Sequence, residues 1–168
     1  TDMAKVYPVD KAVLDRTAKW LLGQQGKDGV WPSGDFRAGR GGLGMTGFVT
    51  WSLADAGYVD NAGVQKALSY LRQNALAEKD PYTLALVANA LVATDPKGEI
   101  TVQVLDRLAE MAARDVKGAY WAGENTMMGG RGKSGSVEAT ALAVHALIRG
   151  GRHAALANDA LSFLVRSK

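Results

Sequence analysis

Two kinds of helical segment alternate along the chain. Residues 9–24 carry one apolar stripe, Leu14, Ala18, Leu21 and Leu22, at helical spacing. Residues 61–76 repeat it with Val64, Ala67, Leu68 and Leu71, residues 99–114 with Thr101, Leu105, Leu108 and Ala112, and residues 153–166 with Ala157, Ala160, Leu161 and Leu164. Between them lie segments 45–57, 82–94 and 136–149, which are apolar on almost every face; their polar members, such as Thr46, Thr50, Ser52, Thr83, Asn89 and Thr140, are few and mostly small. A helix apolar all round must be covered all round, whereas a one-striped helix keeps a wet side. The alternation therefore predicts an all-α fold of about seven helices, with one-striped helices as an outer layer around inner ones. The inner segments fall short of the ~18 apolar residues that a bilayer span requires.

Punctuation supports these boundaries. Asp80 before Pro81 reads as an N-cap with proline at the first helical position. Ser136 is placed to cap the helix that follows it, and Gly57 and Gly150 stand where helices end. No segment alternates with period two over several residues, so no sheet is expected. The inner-to-outer links, near 58–60, 95–98 and 150–152, are short. Two of the three outer-to-inner links, 25–44 and 115–135, are long. In a series of up-down hairpins both long loops share one end, and long loops without secondary structure are usually functional.

Composition narrows the function classes. With 168 residues, 47% of them apolar, one domain with a real core is the default. The net charge of +3 is spread without a basic run, so nucleic acid is not an expected partner. The chain has no cysteine, which excludes disulfides, cysteine-ligated zinc and a cysteine nucleophile within these residues. Neither a signal peptide nor a membrane span is legible, and membrane insertion is not expected. The abrupt start at Thr1 and the finish at Lys168 straight out of a helix read as a piece of something longer.

Several motifs look chemical and carry little. Gly39-Arg40-Gly41-Gly42-Leu43-Gly44 matches the letters of a dinucleotide fingerprint, and Gly130-Arg131-Gly132-Lys133-Ser134 the end of a phosphate loop, but no strand precedes either. His145 on an apolar helix reads as a satisfied core residue and His153 as the start of a surface helix; two histidines so placed imply no metal site. The run from Trp20 to Trp31 is more informative: Gln25, Gly29 and Trp31 form a helix end, a turn and a returning tryptophan, echoed at Gly118-Ala119-Tyr120-Trp121. Glutamine amides can satisfy helix-end carbonyls and tryptophan can cover the end; a ligand-stacking role for the indoles is the alternative. Asp28, Asp35, Glu124 and Glu138 lie on or beside the long loops, where two converging carboxylates would support acid–base chemistry. Their spacing does not show that they meet.

The layered helices and the Gln-x3-Gly-x-Trp run resemble the α/α-toroid proteins: terpene cyclases, protein prenyltransferases, and the thioester domains of the alpha-2-macroglobulin and complement family. The sequence is most similar to the last. AKWLLGQQGKDGVW resembles that family's helix end with its QxxDG turn, and GGLGMTGFVTWSLADAGY its next inner helix. YTLALVANALVA and SGSVEATALAVHALIR resemble two later helices, the last matching at Val137, Glu138 and Thr140, and the four follow in order across residues 17–165. Terpene cyclases of this shape require an aspartate-rich motif and prenyltransferases a zinc cysteine; both are missing from the sequence. So is the family's Cys-Gly-Glu-Gln-type thioester motif, which normally lies upstream of the portion matched; truncation and a paralogue that has lost the motif account for this equally well, and the loop from Val30 to Gly42 lacks the reactivity-tuning histidine of some complement members.

The resemblance implies a partial α/α toroid, a single domain over 1–168 that is a fragment of a larger thioester domain. It implies a non-catalytic part of a secreted, periplasmic or cell-envelope endopeptidase inhibitor that traps proteases, with no cofactor; the alanine-rich composition suits a bacterial member. Its partners would be target proteases and the remaining macroglobulin domains of the same chain, with self-association where apolar surface is left uncovered. Trp31, Phe36, Trp121 and Met127 are the candidate thioester shield or interaction face. Two alternatives stand: a lyase or cyclase of the same shape using Asp28, Asp35, Glu124 or Glu138 as acid and base, and a binding module with Trp31 and Trp121 exposed side by side in an aromatic groove.

Overall fold

The computed structural model describes residues 9–32 and 42–167. Among them are seven α-helices: α1 Lys11–Gly23, α2 Leu43–Asp55, α3 Ala62–Asn74, α4 Pro81–Thr94, α5 Glu99–Glu110, α6 Gly132–Gly150 and α7 Ala154–Arg166. A 3-10 turn, Ala75–Ala77, follows α3. The fold is all-α, as the periodicity predicts. Local chemistry sets several starts. Asp10 and Asn61 accept from the amides of Ala12 and Gly63 at 2.8 Å each. Asp80 accepts from both the amide and the hydroxyl of Thr83, at 2.9 and 2.7 Å, ahead of Pro81.

Helix α4 is the axis of the core. Every residue from Tyr82 to Val92 is buried, Leu84, Val87, Ala88, Ala90 and Leu91 completely. Burial on all sides contributes roughly 1.5–3 kcal/mol for each large aliphatic side chain, which is why this segment tolerates almost no polar residue. The exception, Asn89, is fully satisfied: its amide donates to the carbonyls of Ala85 and Leu142 at 2.9 and 3.0 Å, and its oxygen faces His145 Nδ1 at 2.5 Å. That geometry puts a proton on His145 Nδ1 and ties α6 to α4, the satisfied role expected of this histidine.

Helices α2 and α6 flank α4 and run parallel to it. Gly44 lies beside Thr83 and Gly47 against the backbone of Leu86 and Val87, while Glu138 meets Tyr82 and His145 meets Asn89. In front of α4 their side chains touch each other: Trp51 and His145 pack at a centroid distance of 5.2 Å, and Arg149 pairs with Asp55 at 3.2 Å. The one-striped α3 and α5 cover the other side of α4 with Val64, Leu68 and Leu71, and with Val104, Leu105 and Leu108, all buried.

The layers are less symmetrical than the sequence implies. Of the three segments expected to be inner, only α4 is covered all round. Phe48 on α2 is 42% exposed and Ile148 on α6 57%; they share the helix faces of Trp51 and Asp55 and of His145 and Arg149, so both helices are open in front of α4. Helix α1 buries only Ala18 of its stripe and leaves Trp20 63% exposed. Its ties are specific instead: the Tyr58 hydroxyl donates to Asp15, a bond that pushes the phenol's pKa up.

Three boundaries differ from expectation. Helix α5 stops at Glu110, and the chain forms an antiparallel hairpin, β1 Ala113–Asp115 with β2 Gly118–Tyr120, where no strand was expected. The hairpin rests on α7, with Tyr120 stacked on Phe163 at 5.0 Å, so packing rather than pattern creates it. Helix α6 begins at Gly132, four residues before Ser136, and Ser134 supplies the cap by bridging the amide and carbonyl of Arg131 at 3.1 and 3.0 Å. Gly150 is the last helical residue, and Gly151 takes the left-handed position at φ 65°. Among the described residues, no helix is long and apolar enough to cross a membrane.

Candidate functional site

The described parts of the two long loops lie at the end of the molecule where α2, α4 and α6 begin. Each is built around the same device. Trp31 donates its indole Nε1–H to the carbonyl of Leu21, in the last turn of α1, at 2.7 Å, and its backbone N–H to Thr46 Oγ1 of α2 at 3.0 Å. Trp121 donates its indole N–H to the carbonyl of Leu108, in the last turn of α5, at 2.7 Å, and its backbone N–H to Thr140 Oγ1 of α6 at 3.0 Å. Each tryptophan thus closes one helix end and locks it to the next inner helix.

Trp31 is 2% exposed and Trp121 fully buried. An aromatic groove needs both indoles exposed, so that alternative fails: their faces are spent on packing and their N–H groups on helix ends. The same burial removes Trp31 and Trp121 from any surface a partner could touch; they can shield only as the packed floor beneath the loops. Gln25 donates to the carbonyls of Gly29 and Gly63 at 2.9 Å each, so it ties the turn to the start of α3 rather than satisfying the carbonyls that end α1. Gly29 sits at φ 87°, and a Cβ there would stand 3.1 Å from the Lys66 backbone, so the turn against α3 requires glycine.

The second loop continues from Trp121 into a compact turn. Thr126 donates its amide to the Gly130 carbonyl at 3.1 Å and accepts from the amides of Gly129 at 3.0 Å, through its carbonyl, and of Gly130 at 2.7 Å, through Oγ1. Met127, half-buried, donates its amide to the hydroxyl of Tyr82 at 3.1 Å, and that hydroxyl donates to Glu138 Oε1 at 2.8 Å. Met128 beside it is 87% exposed. The sequence singled out Met127 and Glu138 but not Tyr82, which joins them across 56 positions of chain from Glu138.

Three of the four candidate carboxylates, Asp28, Glu124 and Glu138, are among the described residues. Asp28 is exposed and accepts from the Val30 amide within its own turn at 3.2 Å. Glu124 is exposed on the second loop, and Glu138 is engaged by Tyr82. Phe36 and Asp35 lie outside the described residues.

A charged cluster that the sequence does not reveal lies instead beside α5 and the α6–α7 link. Arg152 grips Asp106 with two nitrogens, at 3.1 and 2.8 Å, and His153 Nε2 approaches the same carboxylate at 2.7 Å. His153, then Arg152, hold the Asp106 carboxyl below the usual carboxylate range. His153 adopts the left-handed conformation at φ 53°, so it needs the explanation that the sequence did not supply. With Arg114 and Leu156 these residues line an open pocket of about 730 Å³. Among the described residues no three histidine, aspartate or glutamate side chains are grouped to hold a metal ion.

No curated protein matches the chain. A family model, the A-macroglobulin TED domain, matches residues 1–168 without interruption. The chain therefore belongs to the A-macroglobulin TED domain family, thioester domains of the macroglobulin and complement type.

Proposed function

We propose that this chain is a non-catalytic, shielding part of a thioester domain in a secreted or envelope protein that traps proteases. The observation that carries the proposal is the continuous family match over residues 1–168. In such a protein a target's primary amine attacks the thioester carbonyl; the C–S bond breaks, an amide forms, and the cysteine sulfur leaves as a thiol. The chain has no cysteine, so the reacting sulfur lies outside these residues. What these residues supply is a water-excluding support. The buried Trp31 and Trp121 hold the long-loop end in place, and Met127 and Met128 give it apolar cover. The partners are the attacking protease and the neighbouring macroglobulin domains.

The test uses the whole parent protein, treated with a protease in the presence of a biotinylated primary amine. Covalent incorporation of about one amine per chain, with release of one thiol and loss of both after methylamine pretreatment, is the expected result. Protein that takes up no amine and releases no thiol would overturn the proposal.

A further inference from the structure

Residues 122–130 form a strap fixed at both ends. Trp121 anchors one end beneath α6, and the Arg131–Ser134 cap anchors the other. Between these anchors the strap lies directly on the first turn of α6, backbone on backbone. A Cβ on Gly135 would fall 1.9 Å from the Gly123 carbonyl oxygen, and one on Gly130 would fall 3.1 Å from Gly135 Cα. Glycine-to-glycine contact buries little apolar surface, and Met127 is the strap's one large apolar side chain packed against the core. Glu124, Asn125, Met128 and Gly129 are all exposed. The specific tie in the middle is the buried Tyr82 hydroxyl, which accepts a hydrogen bond from the Met127 N–H and donates one to Glu138 Oε1.

We propose that Tyr82 and Glu138 form a latch, and that the strap opens over the N-terminal end of α4 and α6 when the latch is released. Segments with few apolar contacts and exposed backbone are the ones that open locally, at free energies well below global unfolding. The strap fits that description and the helices beneath it do not. Tyr82 and Glu138 are positioning residues: their work is done through the Met127 amide. That the opening regulates access to a shielded acyl group rests on the thioester proposal above; the latch itself does not.

Hydrogen–deuterium exchange on the full chain of 168 residues tests the latch. Tyr82→Phe keeps the ring and removes the hydroxyl. It is expected to speed exchange at Met127 and its strap neighbours by about tenfold or more, leaving the interior of α4 unchanged. Glu138→Ala should do the same, while Glu138→Gln, which keeps an acceptor, should stay within about threefold of the wild type. Unchanged strap exchange in Tyr82→Phe overturns the latch, and so does a rise shared equally by α4, which would make the hydroxyl an ordinary core bond. A second arm uses the parent protein without protease. There Tyr82→Phe should raise spontaneous amine incorporation several-fold over the wild type; an unchanged rate overturns the regulatory role. A parent that incorporates no amine even when cleaved overturns the thioester proposal and leaves the exchange result standing.

Discussion

At the scale of single residues, the long-loop end depends on two threonines and two tryptophans that repeat one arrangement. Thr46 and Thr140 are each fully buried, and each accepts a backbone N–H that has no water to turn to. Replacing Thr140 with valine keeps shape and volume but strands the Trp121 amide. The expected loss is about 1–3 kcal/mol, the cost of a buried donor left without a partner. It should appear as a lower urea midpoint at unchanged slope. Thr140→Ser, which keeps the hydroxyl, should lose much less, and Thr46→Val should lose a similar amount at the other loop. A Thr140→Val chain as stable as the wild type would show that the hydroxyl is not the acceptor on which the tryptophan depends. These residues were only partly legible. The tryptophan-after-turn motif shows in the sequence, and so does a threonine at the head of an apolar run. That one bonds the other, 19 positions away for Thr140, emerges only when the loop returns. The Asp106–Arg152–His153 cluster had no signal at all, since its members are 46 and 47 positions apart and ordinary surface types in isolation.

At the scale of elements, the packing of α2 on α4 turns on one glycine. A Cβ at Gly47 would meet the Val87 nitrogen at 3.1 Å and the Leu86 carbonyl carbon at 3.2 Å, atoms of a helix backbone that cannot swing aside. Gly47→Ala gains up to about 1 kcal/mol of helix propensity but loses about 1–3 kcal/mol to overpacking, so the net change should be destabilising. Gly23, near the end of α1, has nothing within 4 Å of its Cβ position, and Gly23→Ala should stabilise by a few tenths of a kcal/mol. Thermal unfolding of the two variants side by side checks the sign; a stabilised Gly47→Ala would mean the two helices are free to part. Element identity was readable because periodicity reports burial: all seven described helices sit within a few residues of where apolar spacing puts them. Their ends were less readable. The apolar pattern of α5 runs on through Met111 and Ala112 although the helix stops, because those side chains pack from a turn instead. The hairpin after it was invisible, since Ala113, Arg114 and Asp115 are exposed and carry no alternation.

At the scale of the whole molecule, the outstanding feature is where apolar surface remains. On the flanking helices Val13 and Trp20 of α1 and Leu161 and Val165 of α7 are exposed; Phe48 and Ile148 are exposed in front of α4, and Val116 and Met128 on loops. Scattered exposed aliphatics are ordinary, but Trp20 and Val165, both 63% exposed, belong to helices at the two ends of the helix series, where packing on each neighbour is one-sided. The described chain should therefore self-associate through these flanks as its concentration rises. Trp20 provides a built-in reporter. It is the most exposed of the four tryptophans, with Trp31 and Trp121 buried and Trp51 half-buried against His145. Association should shift its emission to the blue and protect it from acrylamide as sedimentation velocity registers a rising average mass. Putting a charge where a large apolar side chain is being covered forfeits its burial energy, on the order of 1.5–3 kcal/mol. Trp20→Glu or Val165→Glu should thus weaken association about tenfold or more. If only one of the two substitutions has that effect, the contact pairs like flanks; if both do, it joins one flank to the other. A wild-type chain that remains a strict monomer at high concentration would show that these flanks, although apolar, do not recruit one another.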